Sequence, residues 1–213
     1  MIFDEFLKSI SKIENIPLPA EASQFKMVPP YRLELVKRQK EAMKNAKSAG
    51  VLALFYPSEE NLTKLALILR KTYNGVHSAQ VGFPGGKLED HDNSLLDAAI
   101  RETNEEIGVS KNHIEIVKKL TQVYIPPSNF NVQPFMAVTK ETPKFIKEES
   151  EVETIIQVEL THFLDENVIT SKKVKTSYNV EVEVPAFKLN NYVVWGATAM
   201  MLSEIKDILK QLL

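Results

Sequence analysis

Ser94-Leu95-Leu96-Asp97-Ala98-Ala99-Ile100-Arg101-Glu102-Thr103-Asn104-Glu105-Glu106-Ile107-Gly108-Val109 is the stretch from which the rest of the chain is best read. It predicts a helix over 95–107. Ser94 stands where an N-cap hydroxyl accepts a hydrogen bond from the first turn, and Asp97 follows three residues later, as in a capping box. Asp92 lies just before the positive helix end. Gly108 follows the last helical residue, where a left-handed C-terminal residue is favoured. At about 100° per residue, Leu96, Ala99, Ile100, Thr103 and Ile107 share one face, expected to be core. Ala98, Glu102, Glu105 and Glu106 lie roughly opposite. Carboxylates one turn apart repel each other by a few tenths of a kcal/mol (~0.3) even in water. A hard divalent cation reverses the sign of that interaction. Taken alone, such a set is more often a solvated acidic face than a metal site.

The segment before the helix shifts that balance. Phe83-Pro84-Gly85-Gly86-Lys87 places two adjacent glycines a few residues upstream. They permit close backbone approach or positive φ, so that a phosphate or a metal can lie against main-chain groups. A plain tight turn explains the loop alone. The loop and the acidic helix together point to a phosphate- and metal-handling site.

Outward from this centre, strands are expected at 51–56 and 65–69, with a turn at 57–61. Residues 71–92 hold four of the chain's seven glycines and read as loop with short extended pieces. Further strands are expected at 113–125, ended by Pro126 and Pro127, at 133–138 and at 152–160, with 160–164 turning helical. Residues 174–188 suggest a hairpin turning near Asn179, and 198–213 a closing amphipathic helix. Upstream, 1–15 reads as a short amphipathic helix and 33–47 as a polar one. This mixture, without strict strand–helix alternation or repeats, argues for an α/β sandwich around a mixed sheet.

The 213 residues fit one domain with elaborations, the core running over about 48–200. With 44% hydrophobic residues, 25% charged and a formal net charge of −2, the composition is that of an ordinary globular protein. No strong field draws it to nucleic acid or to an anionic membrane. The absence of cysteine excludes disulfides, thiolate zinc sites and a cysteine nucleophile. Neither a basic start leading into an apolar run nor an apolar stretch of about 18 residues is present. A cytoplasmic location is therefore expected. The apolar surface of the closing helix would suit a homodimer contact.

Residues 86–109 resemble the Nudix box, G-x5-E-x7-R-E-U-x-E-E-x-G-U, where U is bulky and apolar. Arg101 to Val109 matches its second half, with Thr103 at the first apolar position. In the first half, Asp92 stands where Glu is usual, and one extra residue separates Gly86 from Arg101. That spacing is similar to the coenzyme A pyrophosphatase branch, with its upstream pattern L-T-x-R-S-x-x-x-R-x-H-x-G-Q-x-x-F-P-G-G. Arg70, His77, Gln80 and Phe83-Pro84-Gly85-Gly86 match it in register, whereas Lys71, Gly75 and Ala79 replace Ser, Arg and Gly. Residues 124–130 with Pro134-Phe135, and residues 195–199, also resemble this branch.

The resemblance implies an α/β/α sandwich and hydrolysis of a pyrophosphate-linked small molecule. Coenzyme A would give 3′,5′-ADP and 4′-phosphopantetheine. It implies Mg²⁺ or Mn²⁺ held by Glu102 and Glu106, with Glu105 as a further ligand or water-orienting group and the Gly86 carbonyl completing the shell. Arg101 would orient a glutamate, and Glu151, in Glu148-Glu149-Ser150-Glu151-Val152, is the expected general base. Arg70, His77, Gln80 and Lys87 are the expected substrate contacts. Lys172, Lys173 and Lys175 are either a phosphate contact or a solvated run, and Trp195 is expected in the core. Two other readings remain open. One is hydrolysis of ADP-ribose, NADH or a dinucleoside polyphosphate; the other is a Nudix-fold binding module without catalysis.

Overall fold

A computed structural model describes residues 1–29, 43–72, 79–175 and 181–213. The sheet that carries the site begins with two strands that start together and then part. β1 (Lys47–Pro57) and β2 (Thr63–Arg70) pair antiparallel only between Phe55↔Leu65 and Pro57↔Thr63. Beyond that they diverge, and residues 81–87 fill the fork. β3 (Val81–Gly82) pairs with β2, while β4 (Gly85–Lys87) pairs with β1, with Gly86 opposite Gly50.

On the far side of β1, β7 (Phe130–Val138) runs parallel to it along its length. β5 (Glu115–Lys119) and β6 (Val123–Ile125) then pair antiparallel with β7. On the far side of β2, β8 (Val152–Glu159) completes a mixed eight-stranded sheet. A three-stranded sheet follows, with β10 (Glu181–Leu189) between β9 (Ile169–Lys175) and β11 (Tyr192–Trp195).

Strand periodicity sorts the side chains of β1 to two faces. Leu52, Leu54 and Tyr56 join Ala66, Ile68, Phe135 and Ala137 beneath the acidic helix. Ala53 and Phe55 join Leu65, Leu67, Met136 and Val138 on the other face, against the first and last helices. Helices on both faces explain why β1 and β2 read as nearly continuous apolar runs. Helices among the described residues include α1 (Phe3–Ile10), α2 (Glu21–Gln24), α3 (Leu95–Ile107), α4 (Leu160–Leu164) and α5 (Gly196–Leu209).

Several boundaries differ from expectation. The helix expected over 33–47 falls mostly outside the described residues, but Lys47 itself is strand. Its N–H donates to the Asn129 carbonyl (2.9 Å) and its ladder partner is Phe130, so pairing with β7 extends β1 to 47. The strand expected over 113–125 breaks into β5 and β6. Its partner strand contains Pro134, which has no N–H to offer. The Gln133 amide group supplies the missing donor, 2.7 Å from the Leu120 carbonyl. The first helix stops at Ile10, and a 3₁₀ turn, Ile13–Asn15, follows it. The expected hairpin is β9–β10, and its turn at Asn179 lies outside the described residues. In α5, Ala199 to Ile205, with Ile208 and Leu209, is buried within the chain, so the apolar surface expected to offer a dimer contact is already covered.

Candidate active site

Helix α3 has the ends its sequence predicts. The Ser94 hydroxyl accepts from the Asp97 N–H at 3.1 Å, and Gly108 takes φ 76° while donating to the Asn104 carbonyl at 2.9 Å. Its faces differ from the expected ones. Ala98 and Glu106, placed by periodicity on the solvent side, are both buried, whereas Leu96 and Ile100 are only partly covered. The cause is the fork, because α3 packs on β1 and β4 together. A Cβ at Gly50 would lie 1.9 Å from the Leu95 carbonyl oxygen, and one at Gly86 would lie 2.4 Å from the Glu102 carboxyl carbon. At Gly50 the neighbour is main chain, so only glycine admits the approach; at Gly86 it is the end of the Glu102 side chain, which a Cβ would displace.

Burying the helix buries its acids. Glu106 is 1% exposed, and burial pushes its carboxyl up to about 7. The Arg70 cation and the Gly85 N–H pull it back down, while Glu102 and Glu151 push it up further. The Gly85 N–H donates to Glu106 Oε2 at 2.8 Å. Glu106 Oε1 is buried with no hydrogen-bond donor, and Arg70 Nη2 stands 3.3 Å away as its ion-pair partner. Glu102 is half-buried, and desolvation raises its carboxyl against the lowering effect of Arg101.

A third carboxylate arrives from another part of the chain. Glu151 precedes β8, and its carbonyl accepts from the Lys71 N–H at 2.8 Å. Glu102, Glu106 and the exposed Glu151 each bring a carboxylate oxygen within 4.8 Å of the others. Glu105 is not in this trio. Its side chain is 55% exposed and accepts from Arg101 at 3.0 Å.

Arg101 organises the outer side of the site. Its Nε and Nη2 donate to the two oxygens of Asp92, each at 3.0 Å, and Nη1 donates to Glu102 and to Glu105, also at 3.0 Å. Nη2 reaches the Lys87 carbonyl at 3.1 Å. Such a two-pronged guanidinium–carboxylate pair is strong and directional. It holds the Asp92 carboxyl down at about 2. The shorter acid at the end of the longer loop thus reaches Arg101 with both oxygens.

Among the other expected residues, Gln80 is partly exposed and its carbonyl accepts from the Arg70 N–H at 3.0 Å. Lys87 is exposed at the end of β4. His77 lies outside the described residues. Lys172 Nζ lies 5.4 Å from the centre of the partly buried Trp195 ring, and Lys173 faces Glu181 at 3.9 Å. Both lysines are engaged within their own small sheet. Sequence reading missed Gly50 and the Gly85 N–H. An isolated glycine inside an apolar strand is the available signal for Gly50, because it marks a close backbone approach.

Three converging carboxylates, one with an undonated buried oxygen, favour an oxygen-liganded hard cation. Residues 44–175 match the NUDIX domain. This chain belongs to the Nudix family. The Nudix box of the family therefore corresponds to β4, its following loop and α3.

Among relatives, the peroxisomal coenzyme A diphosphatase ndx-8 of Caenorhabditis elegans is 30% identical over 72% of this chain and 64% of its own length. The mitochondrial Nudix hydrolase 15 of Arabidopsis thaliana is 27% identical over 73% of this chain and 56% of its own. The chain thus spans less than two thirds of either relative. Nudix hydrolase NudL of Cronobacter sakazakii is 28% identical over 91% of this chain and 96% of its own length. The fold is shared with the Nudix hydrolase RenU of M. smegmatis, at TM-score 0.54 and 12% identity over 79% of this chain and 88% of that one. A MutT/nudix family protein of Enterococcus faecalis gives TM-score 0.52 and 16% identity over 78% and 62%.

Proposed function

We propose that this Nudix protein is a metal-dependent pyrophosphohydrolase that cleaves coenzyme A or an acyl derivative to 3′,5′-ADP and a 4′-phosphopantetheine. The observation that carries the hydrolase reading is the convergence of Glu102, Glu106 and Glu151 within 4.8 Å, with Glu106 Oε1 buried and undonated. The coenzyme A reading rests on the in-register Arg70, His77, Gln80 and Phe83-Pro84-Gly85-Gly86, on the lengthened loop to Arg101, and on the activity named for the C. elegans relative.

The donor set fits Mg²⁺ or Mn²⁺, since it is all oxygen and includes a carboxylate oxygen without a donor. Glu102 and Glu106 would hold the ion, with the Gly86 carbonyl completing the shell. When bound, the ion supplies charge stabilisation to a phosphoryl transfer. The chain's own groups do the rest. Arg101 fixes the Glu102 carboxylate through a 3.0 Å hydrogen bond and is itself fixed by Asp92. Glu151, the exposed member of the trio, accepts the proton of the attacking water. Glu105, held by Arg101 at the rim, orients that water. Lys87, Gln80 and His77 would contact the substrate, a role that rests on the sequence register.

Purified protein with Mg²⁺ or Mn²⁺ and a panel of coenzyme A, ADP-ribose, NADH and diadenosine polyphosphates tests the proposal, with Glu106→Gln as control. The expected result is release of 3′,5′-ADP from coenzyme A, lost in the variant. Turnover of another panel member only would overturn the coenzyme A assignment. No turnover at all would overturn the hydrolase reading in favour of a binding module.

A further inference from the structure

Arg70 stands at the end of β2, where the ladder with β8 changes register between Leu69 and Arg70. A bulge of this kind re-aims a side chain. Here the guanidinium turns into the fork. Its Nη2 donates to the Gly85 carbonyl at 2.9 Å and stands 3.3 Å from Glu106 Oε1. Gly85 closes the circuit by donating its N–H to Glu106 Oε2 at 2.8 Å. Both main-chain groups of one glycine are thus engaged with an arginine from β2 and a glutamate from α3. Gly85 has φ +139°, and a Cβ there would fall 2.4 Å from the Gly50 carbonyl oxygen, so nothing but glycine fills this corner.

Three elements meet in that circuit: the end of β2, the turn into β4 and the last turn of α3. Register with known sequences places Arg70 among substrate contacts. Its hydrogen bond is instead spent on the turn, and its charge lies against the buried carboxylate. We propose that Arg70 is a positioning residue, which acts through Gly85 and Glu106 to hold the glycine turn and the deepest carboxylate in one geometry. This rests on the hydrolase reading of the same site. Both contacts come from the one nitrogen Nη2, which a rigid planar group aims, whereas a lysine ammonium sits on a flexible stem and is aimed less firmly. Partners that orient metal ligands typically contribute about 10- to 100-fold to metal affinity or activity.

The test measures Mn²⁺ binding by electron paramagnetic resonance, together with kcat and KM, for the wild type, Arg70→Ala and Arg70→Lys. The expected result for Arg70→Ala is Mn²⁺ affinity weaker by about tenfold and kcat lower by roughly 10- to 100-fold, with KM changed less than about threefold. Arg70→Lys should fall between the wild type and Arg70→Ala in both, and it keeps the comparison available if the alanine variant does not fold. A raised KM with kcat and Mn²⁺ affinity unchanged would overturn the proposal and make Arg70 a substrate contact. If the wild type binds Mn²⁺ but cleaves none of the panel, the hydrolase reading fails. The Mn²⁺ shift then still decides Arg70: weakening supports the positioning role and no change overturns it.

Discussion

Two buried glutamates, Glu106 at the end of α3 and Glu204 in the middle of α5, are 1% and 0% exposed, yet their surroundings differ. Glu204 is fully supplied with neutral donors: the Thr121 hydroxyl at 2.5 Å and N–H at 3.2 Å, and the Gln24 side-chain amide at 3.3 Å. It ties α5 to the loop between β5 and β6 and to α2. Glu106 receives one backbone N–H, leaves one oxygen undonated, and faces two further carboxylates. A buried acid whose oxygens are satisfied by the fold is a staple. One left short of donors beside its own kind is held for something else.

That contrast can be broken by experiment. The largest effect is expected from Glu106→Gln, which should lower kcat by on the order of 10³, about 4 kcal/mol in the barrier. It should also abolish any rise in melting temperature on adding Mn²⁺, without lowering the stability of the metal-free protein at pH 8. A variant that keeps its metal-dependent thermal shift would sink the ligand role of Glu106.

A second effect concerns pH. Glu106 has a folded value of about 7 against an ordinary 4.5, so the folded state binds the extra proton between them. Its contribution is fully present below about 4.5 and is lost as pH rises through 7, a cost approaching roughly 3 kcal/mol. Asp92, held at about 2 against an ordinary 3.8, acts in the opposite sense at lower pH, so the two windows do not overlap. Urea melts in chelator at pH 5 and pH 8 should show the wild type losing stability at the higher pH and Glu106→Gln losing much less. Equal losses would place the effect on another group.

Glu204→Ala is expected to destabilise the fold by about 2 kcal/mol, because it strands the Thr121 and Gln24 donors. Mn²⁺ affinity should stay as in the wild type, and a change there would erase the distinction between the two acids. The smallest effect is expected from Asp92→Ala, which frees two of the bonds that hold Arg101. A roughly tenfold drop in kcat should follow, with little change in melting temperature. Unchanged kcat would show that Glu102, Glu105 and the Lys87 carbonyl suffice to place Arg101.

Much of this site was legible in the sequence where neighbours along the chain determine the geometry. Ser94, Gly108 and the spacing between them predict α3 to the residue, since caps and helical periodicity act over a few positions. The fork was not legible, because β1 and β2 had to part before residues 81–87 could enter. Burial of Ala98 and Glu106 follows from that entry, and it is the exposed Glu151, not Glu105, that joins Glu102 and Glu106 to complete the trio. The expected solvent side of α3 was correct only for residues that the glycine turn does not reach.

The sequence by itself determined the acidic helix, the paired glycines, the α/β class and the family resemblance, all of which rest on local pattern. Tertiary structure alone decided which carboxylates converge. Glu151 lies 45 residues beyond Glu106 in the chain, and only the pairing of β8 with β2 brings them together. It also decided that Arg70 turns inward, since a bulge and a glycine φ become visible only once strands are paired. Electrostatic character followed burial: the same glutamate is an ordinary acid on a solvated helix and an unsatisfied one in the fork.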